Sequence, residues 1–235
     1  MALLKLQGIG KCYRQGEINV QALDNVNLQV NAGEFAALVG PSGSGKTTLL
    51  NIIGGLDTPT RGKAELNGTD ISLLKDSELS DFRLFQLGFI FQAYNLVPVL
   101  NALENVELIM VLQGRSTAER RQRAIRYLEM VGLQDVMTRR PAALSGGQQQ
   151  RVAVARALAA GPGLVLADEP TANLDSENAT ALLDIMHRLS HEEKTTFIFS
   201  THDPRVMERA ERIITLRDGK IVQDKQMSQQ HADPV

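Results

Sequence analysis

Phe35–Val39 is an unbroken apolar run ending in glycine, the pattern of a strand buried on both faces. From Thr47 the spacing changes, and Leu49, Leu50, Ile52 and Ile53 follow a helical period. Before this pair lie short β-rich runs at Ala2–Leu6 and Val26–Val30, and after it Gly62–Gly68 reads as a short strand and turn. Residues from about Leu73 to Ala160 carry most of the helical pattern. Within it, Ala124, Ile125, Leu128 and Val131 make one apolar stripe, opposite Arg120, Arg121, Arg123 and Arg126. Strand signals resume after Gly161-Pro162-Gly163, at Leu164–Ala167 and Thr195–Ser200. The order predicts one α/β domain over 1–235: a core over about 1–88 and 161–235, interrupted by a helical subdomain over about 89–160.

Composition narrows the class. With 43% hydrophobic residues and a net charge of −2 in 235 residues, the chain can bury a core, and disorder is excluded as its main state. The longest apolar stretches, such as Leu108–Leu112, fall far short of the ~18 residues that a spanning helix needs. Met1 to Leu6 lacks the basic and apolar regions of a secretion signal, so a cytosolic protein is expected. The single cysteine, Cys12, cannot form an internal disulfide. Near-zero net charge weighs against a nucleic-acid partner.

Three segments carry candidate chemistry. Gly40, Pro41, Ser42, Gly43, Ser44, Gly45, Lys46 and Thr47, followed by Thr48, match a phosphate-binding loop between a strand and a helix. Glycine backbone N–H groups and a helix N-terminus attract phosphate oxygens. Lys46 is expected to reach the β- and γ-phosphates and Thr47 to ligate Mg²⁺. Asp168 ends an apolar strand, where a carboxylate needs a cation or donors, so it is the expected metal-side group. Glu169 follows it; successive strand residues point opposite ways, which frees Glu169 to act as general base toward water. Ser145 caps an expected helix, and Gly146, Gly147 and Gln148 expose backbone N–H groups there, a second anion site. A second phosphate-type site on one chain makes sense if it serves a nucleotide held by another copy.

These residues resemble the ATPase subunit of ABC transporters. Gly40–Thr47 is similar to its Walker A loop, Leu144–Gln148 to its signature and Asp168–Glu169 to its Walker B end. Asn173-Leu174-Asp175 is similar to its D-loop and His202 to its switch histidine. Tyr13 matches the aromatic residue that stacks on adenine, and Gln92 the glutamine of the Q-loop. The resemblance implies a P-loop (RecA-like) core with an antiparallel β subdomain and an inserted helical subdomain. It further implies a head-to-tail homodimer with ATP between one Walker A and the other chain's Ser145–Gln148. Gln92 would sense Mg²⁺ and γ-phosphate, while His202 would contact the γ-phosphate and hold Glu169 and the water. The partner would be an integral membrane permease, with this subunit peripheral on the cytoplasmic face of the inner membrane. Gly88–Val106 and Leu166–Asp175 look most like the lipoprotein-releasing and macrolide-exporter branch. A soluble ABC ATPase acting on ribosomes or DNA is the alternative, but the tandem cassettes or long insertions of such proteins are not seen in this sequence.

Other features are expected to be structural. His187 and His191 have metal-ligand spacing on a helix, but no further ligand is evident in sequence, so they read as a solvated helix end. The arginine face reads as solvated as well. Leu96–Leu100 is the expected permease-docking run, rimmed by Glu104 and Asn105. Only Ile221–Val235 is expected to follow the last strand.

Overall fold

The computed structural model describes residues 2–16 and 18–227. The two early β-rich runs are parts of one long hairpin, β1 (Ala2–Gln15) and β2 (Ile18–Asn31). Alternation is clear only in the inner half of β2, where Leu23, Val26, Leu28 and Val30 are buried. The outer half is exposed, so it carries no periodic signal. With β4 (Arg61–Leu66) and β5 (Thr69–Asp70) the hairpin makes an antiparallel sheet in the order β2-β1-β4-β5.

The second sheet has the order β10-β9-β3-β8-β7-β6. Its parallel strands are β3 (Phe35–Val39), β6 (Leu87–Ile90), β7 (Leu164–Asp168), β8 (Thr196–Thr201) and β9 (Arg212–Arg217). Strand β10 (Lys220–Gln226) pairs antiparallel with β9, inside the stretch expected to lie beyond the last strand. Residues 228–235 of that stretch lie outside the described residues. Strand β6 interrupts the expected helical region and runs through the 88/89 boundary. Four residues, Leu-Gly-Phe-Ile, are too few to show a period, and pairing with β7 makes them a strand.

The parallel sheet separates two cores. Phe35, Ala37 and Val39 face one, with Phe197, Phe199, Val165 and Ala167. Ala36 and Leu38 face the other, with Ile198, Leu164 and Leu166. This is the pleat's alternation, with both faces apolar because both are covered. Helix α1 (Lys46–Ile53) fills the second core with Leu49, Leu50, Ile52 and Ile53, between the two sheets. The first core continues into α3 (Ala102–Leu112), α4 (Thr117–Met130) and α5 (Gly146–Ala159), and takes in α6 (Ser176–Glu192). Helix α2 (Asp76–Gln86) precedes β6, and α7 (Pro204–Arg209) follows β8. Buried Arg212 joins the two sheets at their common edge. Its guanidinium donates to Asp224, Glu34 and the Gln29 carbonyl, and the two carboxylates, Asp224 first, hold its pKa above the usual arginine range.

The arginine face of α4 is partly tied down rather than free in solvent. Arg126 pairs with Glu193 at 2.6 Å, Arg121 with Glu107 at 3.6 Å, and Arg123 donates to the Ala159 carbonyl. Tyr127 is buried and bonds the same Glu193, so its hydroxyl is pushed up to about 12, by burial first.

Candidate active site

A cleft lies at the C-terminal ends of the parallel strands, where open α/β sheets bind their ligands. A void of about 630 Å³ is lined by Gly40–Gly43, Gly45–Thr48, Gln92, Asp168, Glu169, Ser200 and His202, with Val20–Ala22 from the tip half of β2. The loop after β3 needs its glycines. Gly40 has φ 153°, and a Cβ there would stand 2.1 Å from the Leu216 carbonyl oxygen. Gly45, the residue before α1, has φ 102°, and its Cβ would meet the Ala22 oxygen at 2.6 Å. No L side chain fits either position without moving backbone. The Lys46 ammonium donates to the Gly40 and Pro41 carbonyls at 2.8 and 3.1 Å, so it lies over the loop itself.

On the far wall, β7 ends at Asp168, and the Thr47 hydroxyl lies 3.4 Å from Asp168 Oδ2. Glu169 does not continue the strand. Its φ is +46°, a left-handed conformation unusual for a non-glycine residue, and its N–H donates to the Ser200 carbonyl. The separation of Asp168 from Glu169 therefore comes from a backbone turn, where strand alternation alone was expected. His202 Nδ1 lies 2.7 Å from Glu169 Oε1, and the Thr201 hydroxyl donates to Oε2 at 3.3 Å. The histidine is largely exposed while the glutamate is mostly shielded. Just beyond, Asp203 accepts from Thr171 at 2.8 Å and is forked by Arg205.

The cleft's donor set suits Mg²⁺. Thr47, Asp168 and Gln92 offer hard oxygen ligands, and the buried Ser200 hydroxyl beside Asp168 lacks a protein partner. Ser44, within the loop, is buried with its hydroxyl likewise unpaired and is not among the residues lining the cleft.

Two expected site elements stand apart. Ser145 caps α5 through a reciprocal box: its hydroxyl accepts from Gln148 N–H, and Gln148 Oε1 accepts from Ser145 N–H. Gly146 and Gly147 follow, pressed against the Tyr94 hydroxyl and Asn178; a Cβ at either would come within 2.8 Å of them. None of Ser145–Gln148 is among the residues lining this chain's own cleft. Tyr13 lies beside the lining too. Its hydroxyl donates to Asp57 at 2.6 Å, Lys11 sits over its ring, and burial and Asp57 push its pKa up. Its cross-strand partner Val20 is the residue that reaches the cleft.

Sequence reasoning missed several side chains that hold the cleft's edges. Buried Gln150 donates to the Phe91 and Pro170 carbonyls, tying the segments after β6 and β7 to α5. Arg156, further along the same helix, donates to the Tyr94 and Asn95 carbonyls, and burial lowers its pKa. Asn173 donates to the Gln92 carbonyl at 2.9 Å. Both α5 residues sit among apolar neighbours at helical spacing, the only signal that they face inward.

A P-loop core with this wall of Asp168, Glu169 and His202 defines a nucleoside-triphosphate hydrolase. The ABC transporter family profile matches residues 23–172, and the chain belongs to that family as an ATP-binding, ATP-hydrolysing subunit. It is 48% identical to an uncharacterized ABC transporter ATP-binding protein of Bacillus subtilis, covering 98% of this chain and all of the relative. It is 46% identical to a macrolide export ATP-binding/permease protein of Brucella melitensis over 94% of this chain, but only 34% of that longer protein. The dimeric, ADP- and Pi-bound cassette MJ0796 aligns with TM-score 0.87 and 44% identity, over 95% of this chain and 98% of that one.

Proposed function

We propose that two copies of this chain close head to tail around two ATP molecules and drive a separate membrane permease of the export or lipid-extraction kind. One observation carries this reading: the cleft gathers Lys46, Thr47, Asp168, Glu169 and His202, but leaves the capped N-terminus of α5 outside its lining. A second chain's Ser145–Gln148 can supply those N–H groups to the open side of the phosphates. The dimeric form of the MJ0796 cassette supports the same arrangement.

In this reading the loop N–H groups and Lys46 bear the charge of the β- and γ-phosphates. Lys46 exchanges its loop carbonyls for phosphate oxygens. Thr47, Asp168 and Gln92 would hold Mg²⁺, which supplies charge neutralisation on the transferred phosphoryl group. Glu169 takes a proton from the attacking water. His202 and Thr201 hold its two oxygens in a fixed direction, and the left-handed backbone aims the side chain. Adenine lies against the hairpin beside Tyr13 and Val20.

Of the expected docking run, Pro98 and Val99 are exposed and stay part of the proposed permease surface, while Leu96 packs on the core. Val97–Leu100 form a turn held by Asn105, which is fully buried and bonds Val97, Leu100 and Asn101. Asn105 is thus no polar rim. A groove of about 400 Å³ lies nearby, lined by Leu56, Leu84, Phe89, Phe91, Ile109 and Arg156 among others. Its lining includes Phe91, the residue before Gln92, so a membrane partner seated there would feel the nucleotide state. That partner places the subunit on the cytoplasmic membrane face.

The dimer is tested by crosslinking in a Cys12→Ser, Glu169→Gln background. Cysteines introduced at Ser42 and Ser145 are expected to join two chains when ATP is present and not otherwise. Crosslinks only within one chain, or independent of ATP, would remove the head-to-tail model.

A further inference from the structure

Helix α6 ends in a group of side chains that nucleotide hydrolysis does not use. His187 and His191 lie one turn apart, with their Nε2 atoms 3.2 Å from each other. Glu211, in the short connection between α7 and β9, brings Oε1 to 3.4 Å from His191 Nε2. The three ligand atoms all lie within 4.8 Å of one another. Donors bound to one tetrahedral zinc ion at 2.0–2.1 Å stand about 3.3 Å apart, so two edges of this triangle already have that length.

The surroundings hold these groups in direction. The other Glu211 oxygen, Oε2, accepts from the Phe35 N–H at 3.4 Å, fixing the carboxylate against the start of β3. The Phe35 ring meets the His187 imidazole edge-on at 5.2 Å. Outer contacts of this kind orient metal ligands. His187 and Glu211 are half-buried and His191 is exposed, so the ligands converge toward solvent and a water can complete the set. Two imidazoles and one carboxylate suit a late first-row divalent ion and offer little to Mg²⁺.

The group sits at the N-terminal edge of the parallel sheet, beside the starts of β3 and β9. The phosphate loop, Asp168, Glu169 and His202 all lie at the opposite, C-terminal edge. An ion here therefore acts on the fold, not on the phosphates. It would tie the end of α6, whose first turn follows Asp175, to the segment that leaves α7, which follows His202.

We propose that His187, His191 and Glu211 form a structural site for zinc or a similar divalent transition ion. The test is Co²⁺ titration of the untagged, metal-stripped full chain without nucleotide, read by d–d absorption. One Co²⁺ per chain with intense tetrahedral-type bands, displaced by Zn²⁺, is expected. His191→Ala and Glu211→Gln should each weaken Co²⁺ binding at least ~10-fold, while Lys46→Ala, His202→Ala and His231→Ala leave it unchanged. Zn²⁺ should raise the Tm of the wild type and not that of His191→Ala, whose exposed position makes misfolding no explanation. Absence of tetrahedral bands in the wild type, or their persistence in both His191→Ala and Glu211→Gln, would overturn the site. The trio would then be a hydrogen-bonded helix end.

Discussion

At Glu169 a left-handed backbone, a histidine and a threonine converge on one carboxylate. Removing its charge should leave the phosphate cradle untouched. Glu169→Gln is expected to lower ATP turnover by ~10²–10⁴ while ATP binding persists, checked by phosphate release and nucleotide titration. Lys46→Ala should instead weaken binding itself. Asp203 offers a pH test at the same edge. Burial alone would raise its pKa, but the Arg205 guanidinium and the Thr171 hydroxyl outweigh it and hold the carboxyl at about 2, against an ordinary 3.8. A depressed folded-state pKa stabilises the fold fully above about pH 4, and that contribution is lost as pH falls toward 2. The Tm gap between wild type and Asp203→Asn should be constant from about pH 7 to 5 and close below about pH 4. A gap that widened on acidification would contradict the ion pair.

Among the elements, α5 does the most for the cleft without lining it. Ser145 caps its exposed N-terminal end, and further along Gln150 and, in the last turn, Arg156 donate to loop carbonyls. The segment around Gln92 is thereby hydrogen-bonded to the same helix whose N-terminus Ser145 caps. Gln150→Leu keeps the volume but leaves the Phe91 and Pro170 carbonyls unpaired. The expected cost is ~1–3 kcal/mol in urea unfolding, with the Gln92 segment more open to proteolysis. The strands make a different point. β3 and β7 were readable because both faces are apolar, and α1 because four aliphatic residues keep a helical period. β6 and the outer hairpin were not: β6 is made a strand by β7, far away in sequence, and the outer half of β2 is exposed, so it shows no alternation.

For the whole molecule, the parallel sheet divides the work between its two ends. The cleft proposed for phosphate chemistry opens at the C-terminal edge, and the His187, His191 and Glu211 group lies at the other. The apolar groove opens at the junction of α2, β6 and α5. Leu56, half exposed on its rim, can be changed without disturbing a core. Leu56→Glu is expected to abolish co-purification with the permease and leave ATP binding intact; unaltered co-purification would move the docking surface elsewhere. The phosphate loop, the Asp168–Glu169 pair and the capped signature could be read from the chain alone. Each is a local pattern whose chemistry depends on spacing over a few residues. Tertiary structure alone decided which of them share a cleft, that Asn105 is buried, and that Glu211 joins two histidines. Those outcomes depend on strand order and on which backbone groups each side chain can reach, and neither is written in any short stretch of sequence.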